Sequence, residues 1–182
     1  MTYPDEWETE YTTKDGVNVV LRPELSSDLE MLWEMFSTLS DESMSNLLPP
    51  ITRERVESWT ENIDYYEVLP IVALVTDEGR QKIVGSGILR FYEQEALMHK
   101  AELGLSIHDD YQNMGIGTAL LTHLICIATK RKLVKIYLHV RPANDRAIYV
   151  YKKAGFVIEG KLCKESCING EYKDEYRMAL FL

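Results

Sequence analysis

Hydrophobic and polar residues alternate in the first quarter of the chain in a way that predicts one strand and one helix. Val17 to Arg22 has a strand pattern and ends at Pro23, which cannot continue a hydrogen-bond ladder. Ser27-Asp28-Leu29-Glu30 has capping-box spacing and introduces apolar residues at i, i+3, i+4 and i+7. That spacing predicts an amphipathic helix. Its apolar positions are Leu29, Leu32, Trp33 and Phe36.

The next segments predict a short helix and a β-hairpin. We expect a second helix from Thr52 to Thr60 and strands at Val68 to Val75 and Lys82 to Phe91. Gly79 lies between the two strands and marks their turn. The Gly85-Ser86-Gly87 sequence lies inside the second strand, where glycines indicate a bulge or a close backbone approach.

The second half begins with a strand, a glycine turn and a helix. His99 to Ile107 is the predicted strand, and Gln112 to Gly117 is the turn. The following helix carries one apolar stripe. The residues of that stripe are Leu120, Leu121, Leu124, Ile125 and Ala128. We place Cys126 within this apolar region as a small buried hydrophobic residue.

The remaining pattern predicts a strand, a helix and a final hairpin. Val134 to Val140 is the strand, and the helix from Asp145 to Lys153 ends at Gly155, a typical C′ residue. The last two strands, Phe156 to Leu162 and Glu171 to Leu182, are joined through Asn169-Gly170, a strong hairpin signal. The complete order is β-α-α-β-β-β-α-β-α-β-β. Because several neighbouring strands are joined by hairpins, we expect an α/β protein with a mixed sheet.

Composition narrows the classes of function. A length of 182 residues predicts a single domain over 1–182. The chain has 20 basic and 29 acidic residues, which gives a net charge of −9. This charge disfavours direct nucleic-acid binding and favours a cationic partner. Three cysteines without framework spacing favour a reducing compartment, and no metal-ligand pattern accompanies them. The acidic amino terminus is unlike a signal peptide, and no stretch reaches the ~18 apolar residues of a membrane span. We therefore expect a cytoplasmic protein that does not bind membranes.

The glycine turn carries the first candidate chemistry. Glycines between a strand and a helix let backbone N–H groups approach an anion, and the helix dipole favours phosphate. The turn lacks the Gly-Lys-Ser/Thr of a Walker loop. It also lacks the third glycine of a dinucleotide fingerprint, because Leu120 occupies that position. The spacing of this turn is compatible both with a pyrophosphate-bearing cofactor and with a plain turn that binds no ligand.

Two motifs together resemble the GNAT superfamily of N-acetyltransferases. Gln112-x-x-Gly115-x-Gly117 resembles its coenzyme A pyrophosphate loop, and the segment 136–156 resembles its second motif, with Asn144, Tyr151 and Gly155-Phe156 at matching positions. The predicted element order also matches the GNAT fold. The resemblance implies a three-layer α-β-α domain, acetyl-CoA as co-substrate without a metal, and direct transfer of the acetyl group to an amine.

The resemblance also implies which residues bind the cofactor. The end of the strand before the loop would present backbone groups to the acetyl and pantetheine portions, and the loop would bind the pyrophosphate. Asn144 would contact the cofactor arm, although an N-cap role for it is equally credible. The strand residues are Leu105, Ser106 and Ile107, and the loop residues are Gln112, Asn113, Met114, Gly115, Ile116, Gly117 and Thr118. Gln112 stands where many members have arginine, so the loop carries one charge fewer.

Three side chains are candidates for proton transfer. Tyr151 stands at the family's general-acid position, where it would contact the cofactor and protonate the leaving thiolate; its alternative role is a half-buried core aromatic. His139 shares a strand face with Tyr137 and is the first candidate base, because imidazole accepts protons near neutral pH. Glu102 is the second candidate base, acting through a water. Structural roles remain alternatives for both His139 and Glu102.

The sequence determines the acceptor amine least. We expect a primary amine of a protein or peptide, either an N-terminal α-amine or a lysine. A small-molecule amine or polyamine is the alternative acceptor. A non-catalytic acyl-CoA-binding sensor is the alternative from another class. The sequence does not separate a monomer from a homodimer.

Overall fold

An eight-stranded mixed sheet forms the framework of the protein, with strand order β1-β2-β3-β4-β5-β6-β8-β7. The computed structural model describes residues 3–168 and 170–182. The strands are β1 (Thr9–Thr12), β2 (Asn18–Pro23), β3 (Val68–Asp77), β4 (Arg80–Arg90), β5 (Lys100–Ile107), β6 (Lys135–Val140), β7 (Val157–Ile168) and β8 (Glu171–Phe181). The helices are α1 (Leu29–Ser37), α2 (Asp41–Ser45), α3 (Arg53–Thr60), α4 (Ile116–Lys130) and α5 (Asp145–Lys153). Every neighbouring pair of strands is antiparallel except β5 and β6, which are parallel.

The structure confirms each predicted helix and strand. Besides three short 3-10 helices, the described residues add one short strand and one short α-helix. Strand β1, with the sequence Thr-Glu-Tyr-Thr, lies at the sheet edge, and α2, with the sequence Asp-Glu-Ser-Met-Ser, has no buried residue. Neither segment has an apolar face, so hydrophobic periodicity could not reveal them. Strand β7 also extends beyond Leu162 to Ile168. Of the predicted Asn169-Gly170 turn, Asn169 lies outside the described residues.

The predicted capping box before α1 is wrong. The N-cap of α1 is Asp28, and no side chain caps the helix there. Both carboxylate oxygens of Asp28 instead accept hydrogen bonds from the Arg22 guanidinium, each at 2.7 Å, and one also accepts the Leu25 N–H at 2.8 Å. Arg22, near the end of β2, lies close enough to Asp28 to form a buried, charge-assisted pair, and this pair takes the place of the predicted cap.

The helices form layers on both faces of the sheet and create two apolar clusters. Helices α4 and α5 pack on one face in a cluster that includes Leu69 of β3 and Leu138 of β6. Helices α1 and α3 pack on the other face, where the buried sheet residues Val72, Leu74 and Ile83 belong to β3 and β4. On this second face, α1 and α3 therefore cover β3 and β4 with apolar contacts. The same face of β5, β6 and β8 carries polar side chains, and we call it the polar face.

The glycines of β4 have the predicted role. The β3–β4 register shifts beside Gly85, which is the expected bulge. A Cβ atom on Gly87 would lie 2.8 Å from Leu124 Cδ1, so only glycine allows α4 to approach this closely. Cys126 of α4, by contrast, is exposed rather than buried, and the prediction for that residue is wrong. Within residues 3–168 and 170–182, no helix combines the length and apolar character needed to cross a membrane.

A carboxylic acid is buried where β2 leads into α1. Glu24 is 3% exposed, and within the described residues its Oε1 atom has no hydrogen-bond partner. Its backbone is well held, because its N–H donates to Pro70 O and its carbonyl accepts from Tyr65 Oη at 2.7 Å. Burial, with a further contribution from the charge of Asp28, raises the pKa of Glu24 to about 8, although Arg22 opposes the shift.

Replacing Glu24 with glutamine should stabilise the protein in alkaline solution. The pKa of Glu24 in the folded state, about 8, exceeds the ordinary value of 4.5, so the folded state binds this proton more tightly and stability falls as the pH rises between these values. Glu24→Gln removes that loss, and we expect it to raise the free energy of unfolding at alkaline pH by about 5 kcal/mol. Urea unfolding at acidic and alkaline pH measures the difference. The exposed Glu10→Gln variant is the control, and parallel pH profiles for wild type and Glu24→Gln would contradict the prediction.

Candidate active site

The parallel pairing of β5 with β6 is short, and the two strands then diverge. Register pairs join Lys100 to Lys135, Ala101 to Ile136 and Glu102 to Tyr137. Beyond these pairs, β5 continues beside β4 and β6 continues beside β8. We call the resulting space between residues 103–107 and 138–140 the β5–β6 gap. Backbone groups along its two edges are available to an extended ligand.

The glycine loop, Gln112 to Thr118, lies at the open end of the gap because only His108 and the short 3-10 turn Asp109–Tyr111 separate it from the end of β5. Asn113 and Gly115 have positive φ angles of 63° and 85°, and they turn the chain into α4, which begins at Ile116. The first N–H groups of α4 have no intrahelical acceptors, and Gly115 provides no side-chain cap. A Cβ atom on Gly117 would lie 3.3 Å from Ile107 Cγ1, so the loop backbone lies close to the end of β5. These features fit a pyrophosphate at the loop.

The Gln112 side chain is occupied by contacts within the protein. Its amide Nε2 donates to Ile107 O at 3.1 Å and to Ser43 Oγ at 3.2 Å. Its carbonyl Oε1 accepts a hydrogen bond from Arg146 Nη1 of α5. Gln112 therefore connects β5, α2 and α5 around the loop. The sequence singled out Gln112, but it gave no indication of this contact with Arg146.

The second helix at the open end is α5, which follows β6. Asn144 is its N-cap, because the Asn144 Oδ1 atom accepts the Ala147 N–H at 3.1 Å. The capping role is thus confirmed, and the amide Nδ2 of Asn144 is not used in that bond. The amino-terminal ends of α4 and α5 both lie beside the opening, where their partial positive charges favour an anionic ligand.

Tyr151 lies on the apolar face of the sheet. Its side chain is buried, its ring lies 5.7 Å from that of Phe156, and it shares a core cluster with Leu103 and Leu138 from the two sides of the gap. Burial raises the pKa of Tyr151 to about 12. The hydroxyl group therefore keeps its proton across the physiological pH range and can donate a hydrogen bond to a neighbouring anion.

Glu102, Tyr137 and His139 lie on the opposite, polar face. At the closed end of the gap, Tyr137 Oη donates to Glu102 Oε2 at 3.4 Å and forms a hydrogen bond with the Tyr92 hydroxyl group. Burial, together with the bond to Tyr92 and the charge of Glu102, raises the pKa of Tyr137. His139 lies two residues farther along β6 and is solvent-exposed. The structure thus brings both candidate bases to one face, with His139 nearer the opening.

Glu175 of β8 is a neighbour of His139 that the sequence analysis missed. Its Oε2 atom lies 3.7 Å from His139 Nδ1, and its Oε1 atom accepts a hydrogen bond from Ser166 Oγ at 3.0 Å. The Glu175 side chain is 11% exposed, whereas that of His139 is 28% exposed. The pattern of Glu171 to Leu182 indicated a strand but could not indicate which residue of β6 would face Glu175. Only the β6–β8 register reveals this contact.

The segment from Thr38 to Leu47, which we call the roof segment, reaches both sides of the opening. On the β5 side, Ser40 and Ser43 donate hydrogen bonds to Asp109, through Ser40 N at 2.8 Å and Ser43 Oγ at 2.6 Å. On the β6 side, Arg141 Nη2 donates to Leu47 O at 3.4 Å. Burial alone would raise the pKa of Asp109, but the bonds from Ser40 and Ser43 outweigh it and lower that pKa. A carboxylate therefore holds the roof segment beside the glycine loop.

The candidate site consists of the β5–β6 gap, two helix amino termini at its open end, Tyr151 on one face and His139 with Glu175 on the other. Across residues 3–168 and 170–182, no three His, Cys, Asp or Glu residues are grouped in a way that could hold an ion.

Comparison with curated proteins gives relatives of one enzymatic class. The chain is 27% identical over 171 residues to spermidine N(1)-acetyltransferase of Escherichia coli K12, an alignment that covers 90% of this chain and 86% of that protein. It is 42% identical over 52 residues to the [ribosomal protein bS18]-alanine N-acetyltransferase of the same organism, which covers 29% of this chain and 35% of that enzyme. These names establish N-acetyl transfer as the shared activity and differ in the acceptor.

Structural comparison and a family model agree with these relatives. The GNAT domain of S. lividans PAT superposes with a TM-score of 0.78 at 25% identity and covers 100% of both chains. The family model described as Acetyltransferase (GNAT) family matches residues 32–156, which include the glycine loop, His139 and Tyr151. The resemblance seen in the sequence is thereby confirmed, and so are the fold and the class of enzyme. The chain belongs to the GNAT family of acyl-CoA-dependent N-acetyltransferases.

Proposed function

We propose that this enzyme transfers the acetyl group of acetyl-CoA directly to a primary amine of a protein or peptide. The observation that carries the proposal is the β5–β6 gap, which has an anion-binding loop at its open end and an exposed imidazole beside it. An amine at the end of a larger molecule can reach His139 because, among the residues that the structure describes, the apolar helical layer on this face ends at β4.

The gap and its two helices provide a complete cofactor site in this proposal. Backbone N–H groups from Asn113 to Thr118 bind the pyrophosphate, and the backbone of Leu105 to Ile107 faces the pantetheine and acetyl portions. The amide Nδ2 of Asn144 is available to the cofactor arm, because its Oδ1 atom caps α5. An N–H group near Ile107 stabilises the oxyanion of the tetrahedral intermediate.

Proton transfer is divided between the two faces of the sheet. His139 takes a proton from the ammonium form of the acceptor, and the freed lone pair attacks the thioester carbonyl carbon. Glu175, anchored by Ser166, lies 3.7 Å from His139 Nδ1, so Nε2 is the ring nitrogen that we assign to the acceptor. The C–S bond then breaks, Tyr151 donates its hydroxyl proton to the thiolate, and the second proton that leaves the new amide nitrogen returns Tyr151 to its neutral form. Because burial raises the pKa of Tyr151 to about 12, its main contribution is a strong hydrogen bond to the developing negative charge.

Glu102 is the alternative base. It lies at the closed end of the gap and accepts a hydrogen bond from Tyr137. To reach the acceptor from this position, Glu102 would act through a water molecule. His139 is the better candidate because it lies nearer the opening and needs no intermediary.

A polyamine is the second candidate acceptor. The supporting observation is the spermidine N(1)-acetyltransferase relative, whose alignment covers 90% of this chain, whereas that of the ribosomal-protein relative covers 29%. The carboxylates of Glu102 and Glu175 on the polar face also suit a polycation.

An acceptor screen tests the proposed function. The purified protein is incubated with acetyl-CoA and matched acceptors: a peptide with a free α-amine, the same peptide with an acetylated amino terminus and one lysine, spermidine, and free amino acids. Mass spectrometry detects the acetylated products. We expect a peptide to have the highest kcat/KM. Preference for spermidine would select the second candidate, and CoA binding without transfer to any acceptor would indicate a sensor.

The glycine loop should lose cofactor binding when it carries a carboxylate. Gly117→Asp places negative charge beside the pyrophosphate, and its added Cβ atom would crowd the turn at 3.3 Å from Ile107 Cγ1, although the φ of Gly117 is not in the left-handed region. We expect loss of acetyl-CoA binding in isothermal titration calorimetry with an unchanged circular dichroism spectrum. Gly160→Asp is the matched control, because a Cβ atom there meets nothing within 4 Å. A folded Gly117→Asp protein with wild-type affinity would show that the loop does not bind the phosphates.

Tyr151→Phe should slow turnover without weakening cofactor binding. The substitution keeps the ring that packs on Phe156 and removes only the hydroxyl group. We expect kcat to fall about 10²-fold, the scale of a positioned proton donor. No loss of activity attributable to ionisation of Tyr151 should appear until the pH approaches its pKa of about 12. Steady-state kinetics give the comparison, and wild-type turnover with chemistry shown to limit the rate would exclude the role.

His139→Ala should abolish the acidic limb of the pH–rate profile, that is, the rise of the reaction rate with pH on the acidic side. Histidine is the side chain that ordinarily changes charge between pH 5 and 8, so its protonation removes the base in that range. An α-amino acceptor with a pKa near 8 keeps the ionisation of the amine itself from hiding the effect. Glu175→Gln should keep the limb but lower kcat, because the carboxylate that lies 3.7 Å from His139 Nδ1 no longer helps to position the imidazole. Glu171→Gln on the same strand is the control, and an unchanged profile in His139→Ala would favour Glu102.

A further inference from the structure

The glycine loop lacks a cation of its own. Gln112 is neutral, and its amide group is already bonded to Ile107 O, Ser43 Oγ and Arg146 Nη1. Asp109, three residues before Gln112, adds a negative charge that its bonds to Ser40 and Ser43 keep ionised. An anionic ligand at this loop therefore faces a nearby carboxylate, which only partial charges of backbone N–H groups would offset.

Arg146 places a guanidinium group at this position. It is the second residue of α5, is exposed to solvent, and directs Nη1 to the Gln112 carbonyl oxygen. Since a guanidinium has five N–H donors, one bond to Gln112 holds the group in place and leaves other donors free. Such a planar fork matches the paired oxygens of a phosphate.

We infer that Arg146 binds a phosphate group of coenzyme A and supplies, from α5, the charge that Gln112 does not provide from the loop. The contact with Gln112 orients the guanidinium across the opening, so that the anion lies between the amino-terminal ends of α4 and α5. The inference rests on acyl-CoA binding and is independent of the acceptor amine.

The test compares two single-charge variants of α5. Arg146→Gln removes the proposed phosphate ligand, and Lys152→Gln removes an equally exposed charge near the other end of the helix. In calorimetric titration of each folded variant with CoA, we expect Arg146→Gln to weaken binding about tenfold or more, the scale of one charge-assisted hydrogen bond. Lys152→Gln should bind as wild type. Unchanged affinity in Arg146→Gln, or an equal loss in both variants, would overturn the inference.

Titration with a second ligand identifies which phosphate group of coenzyme A Arg146 binds. Wild type and Arg146→Gln are titrated with 3′-dephospho-CoA. If Arg146→Gln still binds this ligand more weakly than wild type does, Arg146 binds the pyrophosphate. If the two proteins bind it equally well, Arg146 binds the 3′-phosphate. Either result supports the inference. No acceptor is present in these titrations, so an incorrect acceptor assignment leaves them unaffected. The loss should also shrink as salt is added, because the interaction is between charges.

Discussion

The short parallel pairing between β5 and β6 is the constraint on which the arrangement of the whole site depends. Three register pairs hold the strands together, and each strand then follows a different neighbour, β4 or β8. Backbone polar groups along the gap consequently lack sheet partners, and such groups require hydrogen bonds when they are covered. A long polar ligand arm can supply them. The helices that follow the two strands, α4 and α5, begin at the same open end.

The helices cover the two faces of the sheet to different extents, and this difference places the candidate site residues in two different environments. Helices α4 and α5 close the apolar face, where burial keeps Tyr151 protonated. The buried cluster on the other face reaches no sheet strand beyond β4, and the face of β5, β6 and β8 carries Glu102, His139 and Glu175. The Tyr151 hydroxyl group in an apolar environment and the His139 imidazole in a polar one thus lie on opposite sides of one gap.

Charges around the opening connect segments that are distant in the chain. Asp109 fixes the roof segment through serine hydroxyl and backbone donors, and Gln112 joins that same segment to α5 through Arg146. Because Gln112 contacts both Ser43 and Arg146, the position of the loop depends on α2 and α5 together. This link places the roof segment in direct contact with the proposed phosphate site.

The sequence by itself determined the order of the main elements, the glycine loop and the family. Apolar periodicity locates elements such as α4 and β6, and the spacing of Gln112, Gly115 and Gly117 specifies a local backbone shape that neighbouring residues alone can form. Periodicity could not reveal β1 or α2, which have no apolar face, nor the Arg22 partner that displaced the capping box. The tertiary structure alone decided that Glu175 faces His139, that Arg146 contacts Gln112 and that Glu24 is buried without a partner for Oε1 among the described residues. These contacts depend on strand register and helix placement across many residues, which a local pattern does not encode.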